Sequence, residues 1–326
     1  MKLLTRRRAL LGLGAAGAAG ALEYKSLHGA FDHRAVPRSA ATGRGRYAAS
    51  LARLEADAAL AAGAVVHVGH STHLLSVAGA RFLTDPWFYD PAFGALAHTA
   101  GPAAPPEEIG RLDAALVTHD HADHADLRAM DRLDKQRAIV ATEGLAAKVR
   151  ALGFREVHVL APWASMRVGA VTVTAVPGLH DIYEIGFVLE GAGRTVYFAG
   201  DTQLFREHAA IAERFPRSFA ILPVDGTRLR GDPLHVMTPD DAVQAARILG
   251  ARGVMPSHAE AAFSDPLVDG IIATTIAGAG PIFRTKMAEQ MPGTPCALPA
   301  AGELVALAAD EKSAPPTMPA AAPVDR

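Results

Sequence analysis

Cysteine is nearly missing: the 326 residues contain one, Cys296. A single thiol excludes an internal disulfide, and its Pro-rich setting far from the histidines makes it a spectator rather than a metal ligand. An excess of charge is missing too. Lys and Arg number 32 against 34 Asp and Glu, a formal net charge of −2, so nothing argues for a nucleic-acid partner held by bulk charge. No tandem repeat of fixed period runs through the chain, which excludes a solenoid. The uncharged run at residues 9–22 covers about 14 positions, short of the roughly 20 that a membrane-spanning helix needs. What is present is an apolar fraction of 50%, enough for a sizeable core in one large domain or two.

The ends of the chain read differently from its body. Lys2, Arg6, Arg7 and Arg8 make a positive head before the uncharged run, and Ala19-Gly20-Ala21 is a small-x-small cleavage pattern. Residues 1–30 therefore read as an export signal. Thr5-Arg6-Arg7-Arg8-Ala9-Leu10-Leu11 resembles a twin-arginine signal, an address for the bacterial export machinery. The expected location is the periplasm or the medium, with a membrane anchor as the alternative if the signal stays uncut. Residues 31–62 read as a polar linker followed by a helix over 46–62, on the spacing of Leu51, Leu54, Ala58 and Ala61. Residues 309–326, rich in Ala and Pro, read as a disordered tail.

Between them, residues 63–308 form the body. Short β-rich runs at 64–68, 74–77 and 81–84 are broken by Gly69 and Gly79. Further strands are expected at 114–117, 138–141, 156–160, 165–168, 171–176, 186–189, 195–198, 219–224, 253–256 and 303–306. Helices are expected at 127–133, 143–152, 204–215 and 239–249, the last with Thr238 as cap and Pro239 at the first helical position. Strands in two groups, each with helices, predict an α/β (α+β) fold of two packed sheets with helices outside.

The densest chemistry follows the strand at 114–117. There the chain reads His119-Asp120-His121-Ala122-Asp123-His124. Imidazole and carboxylate are the ligand types that suit zinc and its first-row neighbours. A solvated helix start would not need so many of them at a strand exit. Three other residues also sit just past apolar runs: His180 after Pro177-Gly178, Asp201 in Ala199-Gly200-Asp201-Thr202, and His258 in Pro256-Ser257-His258. Each has a plain alternative alone, as a turn residue, a helix cap or a loop histidine.

The spacing His-x-His-x-Asp-His resembles the metal-binding signature of the metallo-β-lactamase-fold hydrolases. The likeness runs from about residue 65 to 307. It implies a four-layer αββα sandwich with a two-metal site at one edge. On that resemblance His119, His121 and His180 hold one ion, Asp123, His124 and His258 hold a second, and Asp201 bridges them. Asp123 and Asp201 are then the catalytic carboxylates. The expected cofactor is a pair of Zn2+ ions, with Mn2+ or Fe2+ as alternatives, making a hydroxide that attacks a phosphodiester, ester or lactone. Asp85, in Thr84-Asp85-Pro86, is expected to orient a ligand histidine or to start a turn. Asp120 is expected to brace the loop.

Gly69-His70-Ser71-Thr72, Leu83-Thr84-Asp85-Pro86 and His235-Val236-Met237-Thr238-Pro239 are similar to segments of a narrower subgroup. It contains N-acyl-phosphatidylethanolamine phospholipase D and ascorbate-6-phosphate lactonase. His70 and His235 are accordingly candidates to touch substrate or a ligand. The chain departs from the phospholipase-like pattern after the last strand, with His258-Ala259-Glu260 in place of His-Trp-Gly. Trp87, Phe88, Tyr89 and Phe93 either rim the site or pack their loop down. The expected partners are a small-molecule or lipid-like substrate and the export machinery. The rival readings are a di-iron redox protein of the same fold and a non-catalytic metal-binding protein. Replacing Arg6 and Arg7 with Lys is expected to leave the protein in the cytoplasm in a fractionation assay; normal periplasmic accumulation would rule the twin-arginine route out.

Overall fold

The computed structural model describes residues 41–231, 236–264, 268–271 and 273–309. The expected export signal, His235 and residues 310–326 of the tail lie outside the described residues. Two helices, α1 (Arg44–Ala56) and α2 (Ala58–Ala62), lead into the first sheet. The single helix expected over 46–62 is thus divided. Asp57 is extended, and its side chain accepts from the N–H groups of Ala59 and Leu60, capping α2 and breaking α1 from it.

The first sheet has seven strands in the order β17-β1-β2-β3-β5-β6-β7. They are β1 (Gly63–Gly69), β2 (Thr72–Val77), β3 (Ala80–Thr84), β5 (Ala114–Leu116), β6 (Ala138–Ala141), β7 (Val157–Val159) and β17 (Leu304–Ala306). The second has six in the order β14-β12-β11-β10-β9-β8. These are β8 (Ser165–Val168), β9 (Val171–Pro177), β10 (Ile185–Gly191), β11 (Arg194–Phe198), β12 (Phe219–Pro223) and β14 (Gly253–Ser257).

Side-chain alternation along the strands explains why the two sheets stack. Val65, Leu75, Phe82, Leu116 and Val140 of the first sheet meet Val173, Phe187, Leu189, Phe198 and Ile221 of the second in one buried cluster. The neighbouring residues face the other way. Val66, Leu74, Leu83 and Ile139 pack under α1 and under α4 (Glu143–Ala151), with α3 (Leu127–Met130) on the same side. Val176, Val188, Tyr197 and Leu222 pack under α5 (Glu207–Arg214), α6 (Pro239–Ile248) and α7 (Ala279–Gln290). The result is a mixed α/β sandwich, helix layer on sheet on sheet on helix layer.

Several boundaries differ from the sequence reading. The helices expected over 127–133 and 204–215 are shorter, α3 and α5. Helix α7 was not anticipated, because Gly278, Gly280 and Pro281 read as breakers. Pro281 in fact lies in the first helical turn, where its missing N–H costs no intrahelical bond. Two small two-stranded sheets also appear. One pairs β4 (Leu96–His98) with β15 (Ala261–Phe263), the other β13 (Arg228–Leu229) with β16 (Ala273–Thr274).

Strand direction fixes where the polar residues gather. Strands β3, β5 and β6 are parallel, as are β11, β12 and β14. Strands β1 and β9 run the same way as β3 and β11, each separated from it by one antiparallel neighbour. The C-terminal exits of these strands therefore share one edge of their sheet.

Candidate metal centre

Strand β5 opens into the loop that carries the histidine motif. His119, Asp123 and His124 are buried, while His121 is half-buried. The loop folds back on itself: the N–H groups of His124 and Ala125 donate to the His121 carbonyl at 3.0 and 2.7 Å. Asp126 then caps α3 and also accepts from the Tyr89 N–H at 3.0 Å, pinning the aromatic segment. Trp87, Phe88 and Tyr89 are buried and pack that segment down. Phe93 stands edge-on to the His121 ring at 5.4 Å between centroids. Asp120 faces away from the cluster, accepting from Thr142 Oγ1 at 2.6 Å with Lys148 Nζ at 3.4 Å, and so ties the loop to α4.

Asp85, at the exit of β3, sets the orientation of the rings. Its carboxylate accepts from the Thr118 N–H, the Thr118 hydroxyl and His124 Nδ1, each at 2.8 Å. His124 Nδ1 therefore carries its proton and Nε2 faces the cluster. Because the Thr118 hydroxyl donates to Asp85, it can only accept from His119 Nδ1, 2.9 Å away, which turns His119 Nε2 inward as well. On the opposite sheet Asp225, at the exit of β12, lies 3.0 Å from His258 Nδ1. Asp201 follows β11 through Gly200, whose φ of +70° and lack of a side chain are both required. A Cβ there would stand 2.4 Å from Glu184 Oε1. Glu184 in turn accepts from the Asp201 N–H at 2.6 Å.

The convergence is close. Asp201 Oδ2 lies 3.0 Å from both His124 Nε2 and His258 Nε2. Asp123 Oδ2 lies 3.4 Å from His258 Nε2 and 3.8 Å from His124 Nε2. His180 Nε2 is 3.1 Å from His121 Nδ1. Candidate ligand atoms within 4.8 Å of one another fall into three groups: His119, His121 and His180; His70, Asp123, His124 and His258; and His119, His124 and Asp201, which joins the other two. All seven residues expected to hold metal thus come together, spread over both sheets.

The donor set fits cations. His119 Nε2, His124 Nε2, Asp123 Oδ1 and Asp201 Oδ1 are buried without a hydrogen-bond partner. A buried polar atom left so costs about 1–3 kcal/mol, more if charged. Several such atoms aimed at one another are unfavourable unless something positive sits between them.

Burial alone would lower the pKa of His124 and His258. The facing carboxylates outweigh it, Asp201, Asp123 and Asp85 for His124, and Asp201, Asp225 and Asp123 for His258, so both rise well above the ordinary imidazole value. Burial would likewise raise Asp201, but His124 and His258 hold it well below the usual carboxylate range. His119 is lowered, by burial and then by the neighbouring imidazoles. Burial and the Asp201 charge raise Glu184 well above the usual carboxylate range.

Of the three further candidates, Asp85 orients His124 and His70 joins the second group, while His235 lies outside the described residues. Sequence reasoning missed Glu184 and Asp225. Asp225 obeys the strand-exit rule that singled out Asp201 and His258, but Asp225-Gly226 reads as an ordinary turn. Glu184 precedes its strand, where no such rule points.

A family model described as the β-lactamase superfamily domain matches residues 80–259. A UPF0173 metal-dependent hydrolase from Rubrobacter xylanophilus is 34% identical over 212 residues, 60% of this chain and 80% of that protein. Another from Pyrobaculum aerophilum is 32% identical over 202 residues, 58% of this chain and 81% of its own. Among solved structures, an isothiocyanate hydrolase from Delia radicum gut bacteria superposes with a TM-score of 0.61 at 22% identity. It covers 76% of this chain and 99% of that one, a likeness of fold.

Because the facing carboxylates raise the pKa of His124 and His258, a cation competes with protons for these rings. Zinc titration calorimetry in buffers of different ionisation enthalpy is expected to show net proton release and affinity that falls as pH drops. Binding without proton release would contradict this electrostatic balance.

Proposed function

This chain belongs to the β-lactamase superfamily, in its UPF0173 group of metal-dependent hydrolases, and from that premise we propose that it is an exported phosphodiesterase working on a substrate with an apolar portion. The observation that carries the hydrolytic reading is the convergence of seven imidazole and carboxylate side chains into two groups joined through Asp201. In this reading His119, His121 and His180 hold one cation, Asp123, His124 and His258 hold the other, and Asp201 is shared. Such a pair, when bound, lowers the pKa of water toward neutrality and stabilises developing negative charge.

The residues around the cations do the rest. Asp85 keeps the Nδ1 proton of His124 engaged, so that only its Nε2 is offered, and the Asp225 carboxylate lies 3.0 Å from His258 Nδ1. Asp123 Oδ1, which has no hydrogen-bond partner, is placed to take the proton that the nucleophilic water gives up. Phe93 stands against His121, and Leu179 and Tyr183, close to His180 along the chain, are exposed; in this reading they form an apolar rim. That rim suits an acyl or aromatic group on the substrate. The diester is our first choice because the segments around His70, Asp85 and Thr238 resemble a subgroup that includes a phospholipase, with a lactone or carboxylic ester close behind.

Turnover of bis-p-nitrophenyl phosphate by the zinc-loaded protein, set beside a panel of lactones and p-nitrophenyl esters, tests the choice. Diester cleavage is expected to dominate, and His121→Ala is expected to lose more than the roughly 10–100-fold that removing a merely supporting residue costs. Turnover confined to lactones or esters would overturn the phosphodiester reading. Full activity in His121→Ala would overturn the site.

A further inference from the structure

His70 stands in the second group of donors although the superfamily signature gives it no role there. It lies in the tight turn between β1 and β2 and is 1% exposed. Neither ring nitrogen has a hydrogen-bond partner. The ring centroid is 4.1 Å from that of His258 and 6.1 Å from that of His124, and Nε2 is 3.8 Å from Asp123 Oδ2. Trp87 closes the other side, edge-on at 5.1 Å. A core histidine with no task would bond to something. This one is directed among the donors Asp123, His124 and His258.

The backbone there is held in an unfavourable form. His70 has φ of +52° and His258 of +50°, a region that non-glycine residues seldom occupy. Such strain persists only where surrounding bonds enforce it. For His70 the enforcing group is Glu260, two residues beyond His258. Its Oε2 accepts from the His70 N–H at 3.1 Å and from His67 Nε2 at 2.9 Å. The residue that departs from the phospholipase-like pattern therefore ties the His70 turn to the His258 loop.

We propose that His70 is a further protein donor to the cation shared by Asp123, His124 and His258, and that Glu260 is the positioning residue that keeps it there. This rests on the reading of the site as a two-cation centre, and deepens it. The inner cation then has three imidazoles, Asp123 and the shared Asp201, all from buried residues. The outer one has His119, the half-buried His121 and His180, and the shared Asp201. Positions open to substrate then lie on the outer cation.

The test is Co2+ titration of the metal-free full chain, read by calorimetry and visible absorption. In the wild type we expect two sites per chain, the inner with the weak bands of a five- or six-coordinate ion. His70→Ala is expected to weaken one site at least roughly 10–100-fold, leave the other unchanged and alter those bands. Glu260→Ala should weaken the same site, and Glu260→Gln, which keeps an acceptor for both N–H groups, should restore it. Should His70→Ala fail to fold, wild-type protein labelled with 15N-histidine gives a second reading. The His70 ring signal, assigned with His70→Asn, should move to the position of a coordinated imidazole when zinc is added. An unmoved signal, or unchanged affinities with only kcat or KM altered, would overturn the role of His70 while leaving the two-cation centre standing. Uptake of fewer than two ions by the wild type would overturn both.

Discussion

Charge compensation in a dry place is the constraint on which this protein is built. Asp85, Asp123, Asp201 and Asp225 are all buried at one edge of the sandwich, two from each sheet. An ionised carboxylate cannot remain there unless paired and hydrogen-bonded. Each faces an imidazole at 2.8 to 3.4 Å. Asp201 does most, since its one oxygen sits 3.0 Å from rings contributed by opposite sheets, His124 from the first and His258 from the second. The same arrangement serves two states. The carboxylates raise the pKa of His124 and His258, which favours protons on these rings, and cations held by the same atoms would offset the same charge.

The sandwich supplies the edge at which this balance is possible. Parallel pairing of β3 with β5, and of β11 with β12 and β14, sends the chain out of the sheets on one side again and again. The exits are short and sharply bent. Asp85, His70 and His258 all have positive φ, and Gly200 supplies the turn that leaves room for Glu184 beneath Asp201. Behind them the apolar faces shared by the two sheets hold both halves of the centre in register. Local strain at the ligands is thus carried by a core that has no polar task.

Much of this was legible in the sequence, and the reasons differ from part to part. The loop 119–124 is dense in ligand-type residues at a strand exit, so its chemistry shows without any structure. His180, Asp201 and His258 each follow an apolar run, but each has a plain alternative alone, and only the family resemblance joined them to the loop. The two-sheet architecture followed from strand spacing, with the helix layers read from 3.6-residue periodicity. Helix α7 was hidden by Gly280 and Pro281, which read as breakers and not as a first turn. Glu184 carries no local signal beyond a lone carboxylate, and Asp225, though past a strand end, is masked by Gly226 as an ordinary turn. Glu260 and His70 are 190 positions apart, and only the folded chain reveals that one bonds the other's backbone.

The central claim is that one carboxylate, Asp201, is shared between two cations. Electron paramagnetic resonance of the wild-type protein loaded with two equivalents of Mn2+ tests it directly. A shared Asp201 predicts two bound ions per chain with the multiline spectrum of an exchange-coupled pair. Two ions giving only the six-line signal of isolated Mn2+, or a single ion at saturation, would contradict the account.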